Sequence, residues 1–188
     1  FIVAPTTDFM ASELDAISKF LDNDGKYQKG LVFFADTSAP YLPNFYGLLE
    51  EWGIAVEEGI LFETNNNNYV PGSPTVLGSY ADAEDDITKG ITTCITGKNL
   101  PIKPAFSEEG LYKVTSLIAT PESVVNAPVG TADSWNGADG YKMESFATVI
   151  KSERMTYNEK KKKIKNFVFA FSSIDFIYSD YAEMNQIS

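Results

Sequence analysis

Residues 1–36 read FIVAPTTDFMASELDAISKFLDNDGKYQKGLVFFAD, and this stretch decides the predicted fold. Two apolar runs, Phe1–Ala4 and Leu31–Ala35, flank an amphipathic segment, which predicts a strand, a helix and a second strand. Nearly continuous apolar runs are typical of central parallel strands that helices cover on both faces. The residues between the runs suffice for the crossover that a parallel pair needs. The sequence therefore predicts an α/β fold.

The composition excludes several classes of function. The 188 residues suit one domain, and the net charge of −11 argues against binding nucleic acid or anionic lipid through the domain itself. The chain has no histidine, which excludes His-dependent triads and His-ligated metal sites within it. No apolar stretch approaches the roughly 20 residues of a membrane-spanning helix. Because the chain begins inside a predicted strand, we expect a piece of a longer protein from which targeting or anchoring segments have been removed.

Periodicity places the remaining elements. Helices are predicted at about 9–21, capped by Thr7 or Asp8, and at about 42–52, with Gly53 ending the second. The stretch 54–62 predicts one bent strand or two short ones. Residues 82–86 predict either a short capped helix or a site where their carboxylates bind a hard metal ion. Residues 75–80 predict a short strand. The second half is predicted to be more β-rich, with its strand candidates at 91–96, 111–119, 141–150 and 167–171.

Three polar stretches lie between these elements. The loops 65–74 and 126–140 carry Tyr69 and Trp135, and they are either solvated loops or a binding surface for a sugar or cell-envelope polymer. The basic block Lys160–Lys163 is either a surface loop or a contact for an acidic partner.

Candidate site residues follow the ends of the predicted parallel strands. Ligands of open α/β sheets bind outside the carboxyl ends of the strands. We therefore predict a ligand or partner surface from Thr6, Thr7, Asp36, Thr37, Ser172, Ser173 and Asp175, with Tyr69 and Trp135 as recognition aromatics. A hydrolase would need Asp36 and Asp175 within about 10 Å of each other. The alternative is that both carboxylates cap loops or helix starts after their strands.

Motifs of familiar enzymes are missing from the sequence. It has no Gly-rich phosphate loop and no nucleophile elbow, and Cys94 stands in a predicted strand with no histidine to activate it. The sequence therefore predicts no catalytic residue, no metal site and no cofactor, and we expect a non-enzymatic protein.

A set of local patterns occurs in order along nearly the whole chain, at Pro5, Glu13–Gly25, Leu31–Asp36, Asn44–Ile54, Asp86–Ile91, Thr115–Ser123 and Phe167–Phe176. Taken together, these segments resemble auxiliary proteins of ABC transport systems, the family that includes a gliding-motility component. A glycine of the family's last segment is replaced here by Phe171 or Ser172.

This resemblance implies a fold and a role. The fold would be a three-layer sandwich with a mostly parallel sheet, similar to flavodoxin or to class I glutamine amidotransferases without their catalytic residues. The domain would lie outside the cytoplasmic membrane, held by flanking segments, and would work beside an ABC permease and its ATPase. The resemblance supplies no catalytic residue.

Overall fold

The structure is a computed structural model that describes residues 1–70, 72–82, 85–135, 137 and 139–177. This part of the chain forms thirteen strands, two α-helices and one 3-10 turn. The elements, in chain order, are β1 (Ile2–Val3), α1 (Ala11–Asp22), β2 (Gly30–Phe34), α2 (Pro43–Glu51), β3 (Ile54–Val56), β4 (Ile60–Glu63), β5 (Tyr69–Val70), β6 (Ser73–Ala81), β7 (Thr93–Thr96), β8 (Ile102–Pro104), β9 (Glu108–Glu109), β10 (Tyr112–Ala119), β11 (Val124–Ala127), β12 (Ala147–Tyr157), β13 (Lys163–Phe171) and the 3-10 turn Ile174–Ile177.

One large mixed sheet dominates the fold. Its main strand order is β1-β2-β13-β12-β10-β6-β5, with β3, β7, β8 and β9 attached beside this path, which makes eleven strands. Strands β4 and β11 form a separate antiparallel pair. In the described sheets only β1–β2 and β2–β13 are parallel, and every other pairing is antiparallel.

The predicted flavodoxin-like three-layer sandwich with a mostly parallel sheet is therefore wrong. The protein is mostly β, and both helices pack on the same face of the sheet. Ile17 of α1 and Leu49 of α2 share one core cluster with Leu31, Phe33 and Val168. The strand–helix–strand prediction for residues 1–36 is right, since β1 and β2 pair in parallel around α1. What the apolar runs could not reveal is that no α-helix in the described residues covers the second face.

The two helices form for the predicted reasons, but the cap is different. Ile17 and Leu21 bury one stripe of α1, and Asn23 ends this helix in the left-handed conformation. The helix begins after Met10, whose amide donates to the Glu13 carboxylate, rather than at Thr7 or Asp8. Asp8 instead accepts hydrogen bonds from the amides of Asn44 and Phe45, both at 3.0 Å. It therefore caps α2, whose first residue, Pro43, has no amide hydrogen to satisfy.

The second face of the sheet is covered along only part of its length. Leu117, Ile118 and Val149 form a cluster there with half-buried Cys94 and Phe171, and Phe176 of the 3-10 turn packs edge-on against Phe171. At the opposite end of β13 this face forms an open cavity among the residues that the structure describes.

The predicted strands of the second half exist, with shifted bounds. Strand β12 lies later than the predicted 141–150, because the segment before it is a loop, and β13 begins four residues before the predicted 167. The stretch 54–62 forms two strands in different sheets. The described residues 85–90 form turns rather than a helix, and 83 and 84 lie outside the description. No helix of the described residues is long and apolar enough to cross a membrane.

Candidate functional site

The clearest polar cavity lies at the carboxyl ends of the parallel strands β2 and β13. We call this cavity of about 420 Å³ the polar cleft, and it is lined by Asp36, Thr37, Ser38, Ser73, Thr75, Lys98, Asp133, Ser173, Ile174 and Asp175. This is the edge at which ligands of open α/β sheets bind, outside the carboxyl ends of parallel strands. Strand β2 leads through Ala35 to Asp36, and β13 leads to Ser172 and Ser173.

Two of the three predicted segments meet in this cleft. Asp36 and Thr37 line it together with Ser173 and Asp175. Ser172 lies behind the lining, fully buried, where its hydroxyl donates to Asn99 Oδ1 at 2.6 Å. Thr6 and Thr7 follow β1 as predicted, but both are exposed and neither lines the cleft.

Asp36 is held by its own loop. Its Oδ1 accepts from the Ser38 amide at 2.8 Å and from the Ser38 hydroxyl at 2.6 Å. This is the turn-capping arrangement that aspartate favours after a strand. The carboxylate is therefore oriented before any ligand arrives.

Asp175 is in a different electrostatic environment. Burial raises the pKa of its carboxyl above the ordinary value of 3.8, and the negative charge of Asp36 acts in the same direction. Hydrogen bonds from the Lys98 amide and the Ser173 side chain oppose the rise in this pKa. The cleft thus holds two carboxyls, and the pKa of one of them, Asp175, is raised.

The loop 97–100 completes the cleft, and sequence reasoning missed it. Lys98 forms an ion pair with Asp133 at 2.9 Å across the cleft. Leu100 donates its amide to the Ser172 carbonyl at 2.8 Å, which ties this loop to the end of β13. No sequence signal pairs Lys98 with Asp133, since the two residues are distant in the chain and lie in loops.

A second cavity opens on the uncovered face of the sheet. We call this cavity of about 640 Å³ the apolar hollow, and it is lined by Phe1, Ile2, Gln28, Lys29, Gly30, Leu31, Val32, Lys162, Lys163, Ile164, Lys165, Phe167 and Phe169. Ile2 is 73% exposed, whereas the Phe1 ring packs edge-on against Phe20 of α1 with ring centroids 6.4 Å apart. An apolar cavity beside so exposed an aliphatic side chain is typical of an interaction surface.

Sequence reasoning did not predict the apolar hollow. The basic block 160–163, which predicts either a surface loop or a contact for an acidic partner, lies at the turn between β12 and β13 and contributes Lys162 and Lys163 to the lining. The missed signal is the alternation within β13. Its odd positions 163, 165, 167, 169 and 171 read Lys, Lys, Phe, Phe, Phe, while Val168 and Ala170 face the helices.

The two predicted recognition aromatics have different neighbours. Tyr69 lies in β5 and donates its hydroxyl to Asn66 Oδ1 at 2.7 Å. Trp135 packs edge-on against Phe62 and Tyr141, with ring centroids 5.2 Å apart in both pairs. Parts of both predicted loops are strands, namely β5, the start of β6 and the end of β11, and Pro71, Asn136 and Ala138 lie outside the description. The sugar-binding hypothesis therefore gains no shared aromatic surface from the described residues.

The remaining titratable candidates have structural partners. Asp85, within the predicted acidic segment 82–86, pairs with Lys151 at 2.5 Å, and the hydrogen bond from Lys151 lowers the pKa of Asp85. Cys94 lies in β7, and burial raises the pKa of its thiol. Among the described residues, no group of three or more Asp, Glu or Cys side chains is placed to hold a metal ion.

The fold and the two cavities define a mostly β domain with a mixed sheet, two helices on one face and an open apolar surface on the other. No family model and no curated protein matches the chain. A solved structure described as "mmIFT52 N-terminal domain" is similar in fold, with a TM-score of 0.61 over 98% of this chain and 70% of that chain. The two sequences are 15% identical, so this similarity concerns the fold alone.

Proposed function

We propose that this chain is a non-enzymatic domain that acts through protein contacts, as the extracytoplasmic domain of an auxiliary protein beside an ABC permease and its ATPase. The observation that carries the proposal is the apolar hollow. It is an exposed apolar surface on a face of the sheet that neither helix of the described residues covers. The ordered sequence resemblance to ABC transport auxiliary proteins supplies the kind of partner.

The physical argument concerns the cost of exposing this surface. Ile2 is 73% exposed and would gain at most about 1.5–3 kcal/mol from full burial, so a protein that leaves this side chain in water forgoes that gain. A partner that covers Ile2 recovers it. The polar cleft does not explain Ile2, because this residue does not line it.

The test uses the intact parent chain in its native membrane. The chain is extracted in mild detergent and captured by a tag, and the co-purifying proteins are identified. We expect an ABC permease and its ATPase, with recovery reduced for Ile2→Ser. Val129→Ser is the matched control, because Val129 is also an exposed aliphatic residue, at 63%, outside the hollow. Recovery of the chain alone, or equal recovery with both variants, would overturn the proposal.

The polar cleft favours a second candidate, a carboxylate-dependent hydrolase. The specific observation is that Asp36 and Asp175 line one cavity and that the pKa of Asp175 is raised. Asp175 would act as the acid and Asp36 as the base. Hydrolysis of a panel of chromogenic glycosides and esters tests this candidate. Turnover that is lost in both Asp36→Asn and Asp175→Asn would support it, and turnover that survives both changes would rule out this pair.

A further inference from the structure

We propose that the apolar hollow binds a protein segment in which acidic residues flank one or two large apolar side chains. This inference rests on the proposed function, because it names the chemistry of the partner. Three features of the hollow carry it: the gap at Gly30, the apolar floor around that gap and the lysine rim.

The floor consists of side chains in register across three strands. Ile2 is paired with Val32, and Val32 with Phe169, so these three form one apolar row. In the neighbouring row Gly30 is paired with Phe167. Because Gly30 has no side chain, that row has a gap beside the Phe167 ring. A gap beside aromatic and aliphatic side chains suits an apolar side chain from outside.

The rim is basic although the protein is acidic. Four of the fifteen Lys and Arg residues, Lys29, Lys162, Lys163 and Lys165, line the hollow, and no carboxylate is among its described lining residues. Lys165 is ion-paired with Glu153, and the Lys29 ammonium lies 5.4 Å from the centre of the Phe20 ring. Lys162 and Lys163 are exposed. Their positive charge therefore selects a partner with local negative charge.

The net charge favours a short segment over a lipid bilayer or a nucleic acid. A charge beyond the Debye length of about 8 Å is largely screened, so a short peptide interacts mainly with the rim lysines. A bilayer or a duplex extends past the rim and meets the rest of a chain with net charge −11. The same lysines thus attract an acidic peptide more effectively than an anionic surface.

The test is a peptide-display selection on the full chain. Random 12-residue peptides are selected on the immobilised wild-type protein, and the enriched sequences are synthesised and titrated by fluorescence anisotropy. We expect Asp or Glu next to Leu, Ile or Phe in the enriched peptides, with binding that weakens as salt rises. Enrichment of neutral or basic peptides, or no enrichment, would overturn the inference.

Two variants assign binding to the hollow. Gly30→Leu fills the gap, and the backbone permits it, because Gly30 lies outside the left-handed region and an added Cβ meets only the Phe167 carbonyl at 3.6 Å. We expect it to weaken binding roughly tenfold or more.

Lys162→Glu with Lys163→Glu reverses the charge of the rim, and we again expect a loss of roughly tenfold or more. Lys26→Glu with Lys89→Glu changes the net charge equally at exposed positions outside the hollow, and we expect little effect. Circular dichroism and thermal melting establish that each variant is folded.

The outcomes separate this inference from the proposed function. If capture of the permease fails with Ile2→Ser but persists in the lysine variant, the hollow is an interface, and the inference that its partner is acidic is wrong. If the selected peptides bind but no permease is captured, the partner chemistry stands without the transport role. Binding to vesicles of phosphatidylcholine and phosphatidylglycerol that requires the same lysines, or self-association that Gly30→Leu abolishes, would replace the peptide with a membrane or a second copy.

Discussion

At the scale of single residues, Gly53 shows how one position joins a helix to the sheet. It ends α2 with φ +75°, and an added Cβ would lie 2.6 Å from both Phe106 Cζ and Val114 Cγ2. We predict that Gly53→Ala lowers the free energy of unfolding by about 2–4 kcal/mol, from the left-handed backbone and overpacking together. Urea denaturation measures this change. Gly25→Ala is the control, because Gly25 has φ +71° and nothing within 4 Å, so only the backbone cost of about 1 kcal/mol remains. Equal losses would contradict the packing argument.

Asn166 is the residue-scale link between α1, β2 and β13. Its side chain is fully buried, accepts from the Lys29 amide at 3.1 Å and donates to the Leu21 carbonyl at 2.6 Å. We predict that Asn166→Ala costs about 2–4 kcal/mol of unfolding free energy, because it leaves two backbone groups without this partner. Asn158→Ala is the comparison, since Asn158 bonds the backbone of an exposed turn and we expect a smaller loss. The prediction is wrong if the two variants unfold at the same urea concentration.

At the scale of elements, α2 depends on a cap that comes from outside it. Asp8 supplies acceptors for the Asn44 and Phe45 amides and favours the positive end of the helix electrostatically. We predict that Asp8→Ala lowers the unfolding free energy by about 1–2 kcal/mol and that Asp8→Asn lowers it less. Thr7→Ala, an exposed neighbour, is expected to change little. Chemical denaturation checks the series, and a Thr7 effect as large as that of Asp8 would show that the cap is misassigned.

Element prediction succeeded where periodicity is local. The spacing of Phe45, Leu48, Leu49 and Trp52 located α2, and all four are buried. Element prediction failed for the bounds of strands whose length is set by pairing with another strand. Strand β12 extends to Tyr157 because each residue from Val149 onward has a partner in β13, and a sequence window contains no information about that partner.

At the scale of the whole molecule, the layers could not be read from the sequence. The run Leu31-Val32-Phe33-Phe34 is apolar on both sides of its strand, which predicts two covering layers. In the structure Leu31 and Phe33 contact the helices, whereas Val32 lines the open hollow. Covered and open faces thus have the same apolar pattern, because an interaction surface is also apolar. That Asp36 and Asp175 lie near each other was predictable, because both follow the carboxyl ends of strands predicted to be parallel. Strands β2 and β13 are parallel neighbours in the sheet, so the residues after them meet at one edge.

The pH dependence of the unfolding free energy tests the charge interactions of the folded protein, because Asp85 and Asp175 are expected to change it in opposite directions as pH rises. The ion pair with Lys151 lowers the pKa of Asp85, so its contribution is present above the ordinary value of 3.8 and is lost as pH falls through the lowered value. Burial raises the pKa of Asp175, so the native state binds its proton more tightly than the unfolded chain does. That contribution is present below the ordinary value and is lost as pH rises through the raised one.

We therefore predict opposite pH profiles for the two variants. Asp85→Asn destabilises the protein at neutral pH and loses less stability than the wild type on acidification. Asp175→Asn stabilises the protein at neutral pH, and this gain shrinks towards about pH 3 as the wild-type carboxyl becomes protonated. Urea denaturation across this pH range measures both, with Asp86→Asn as an exposed control beside Asp85. A destabilising Asp175→Asn at neutral pH would contradict the assignment, because it would mean that the ionised carboxylate stabilises the polar cleft.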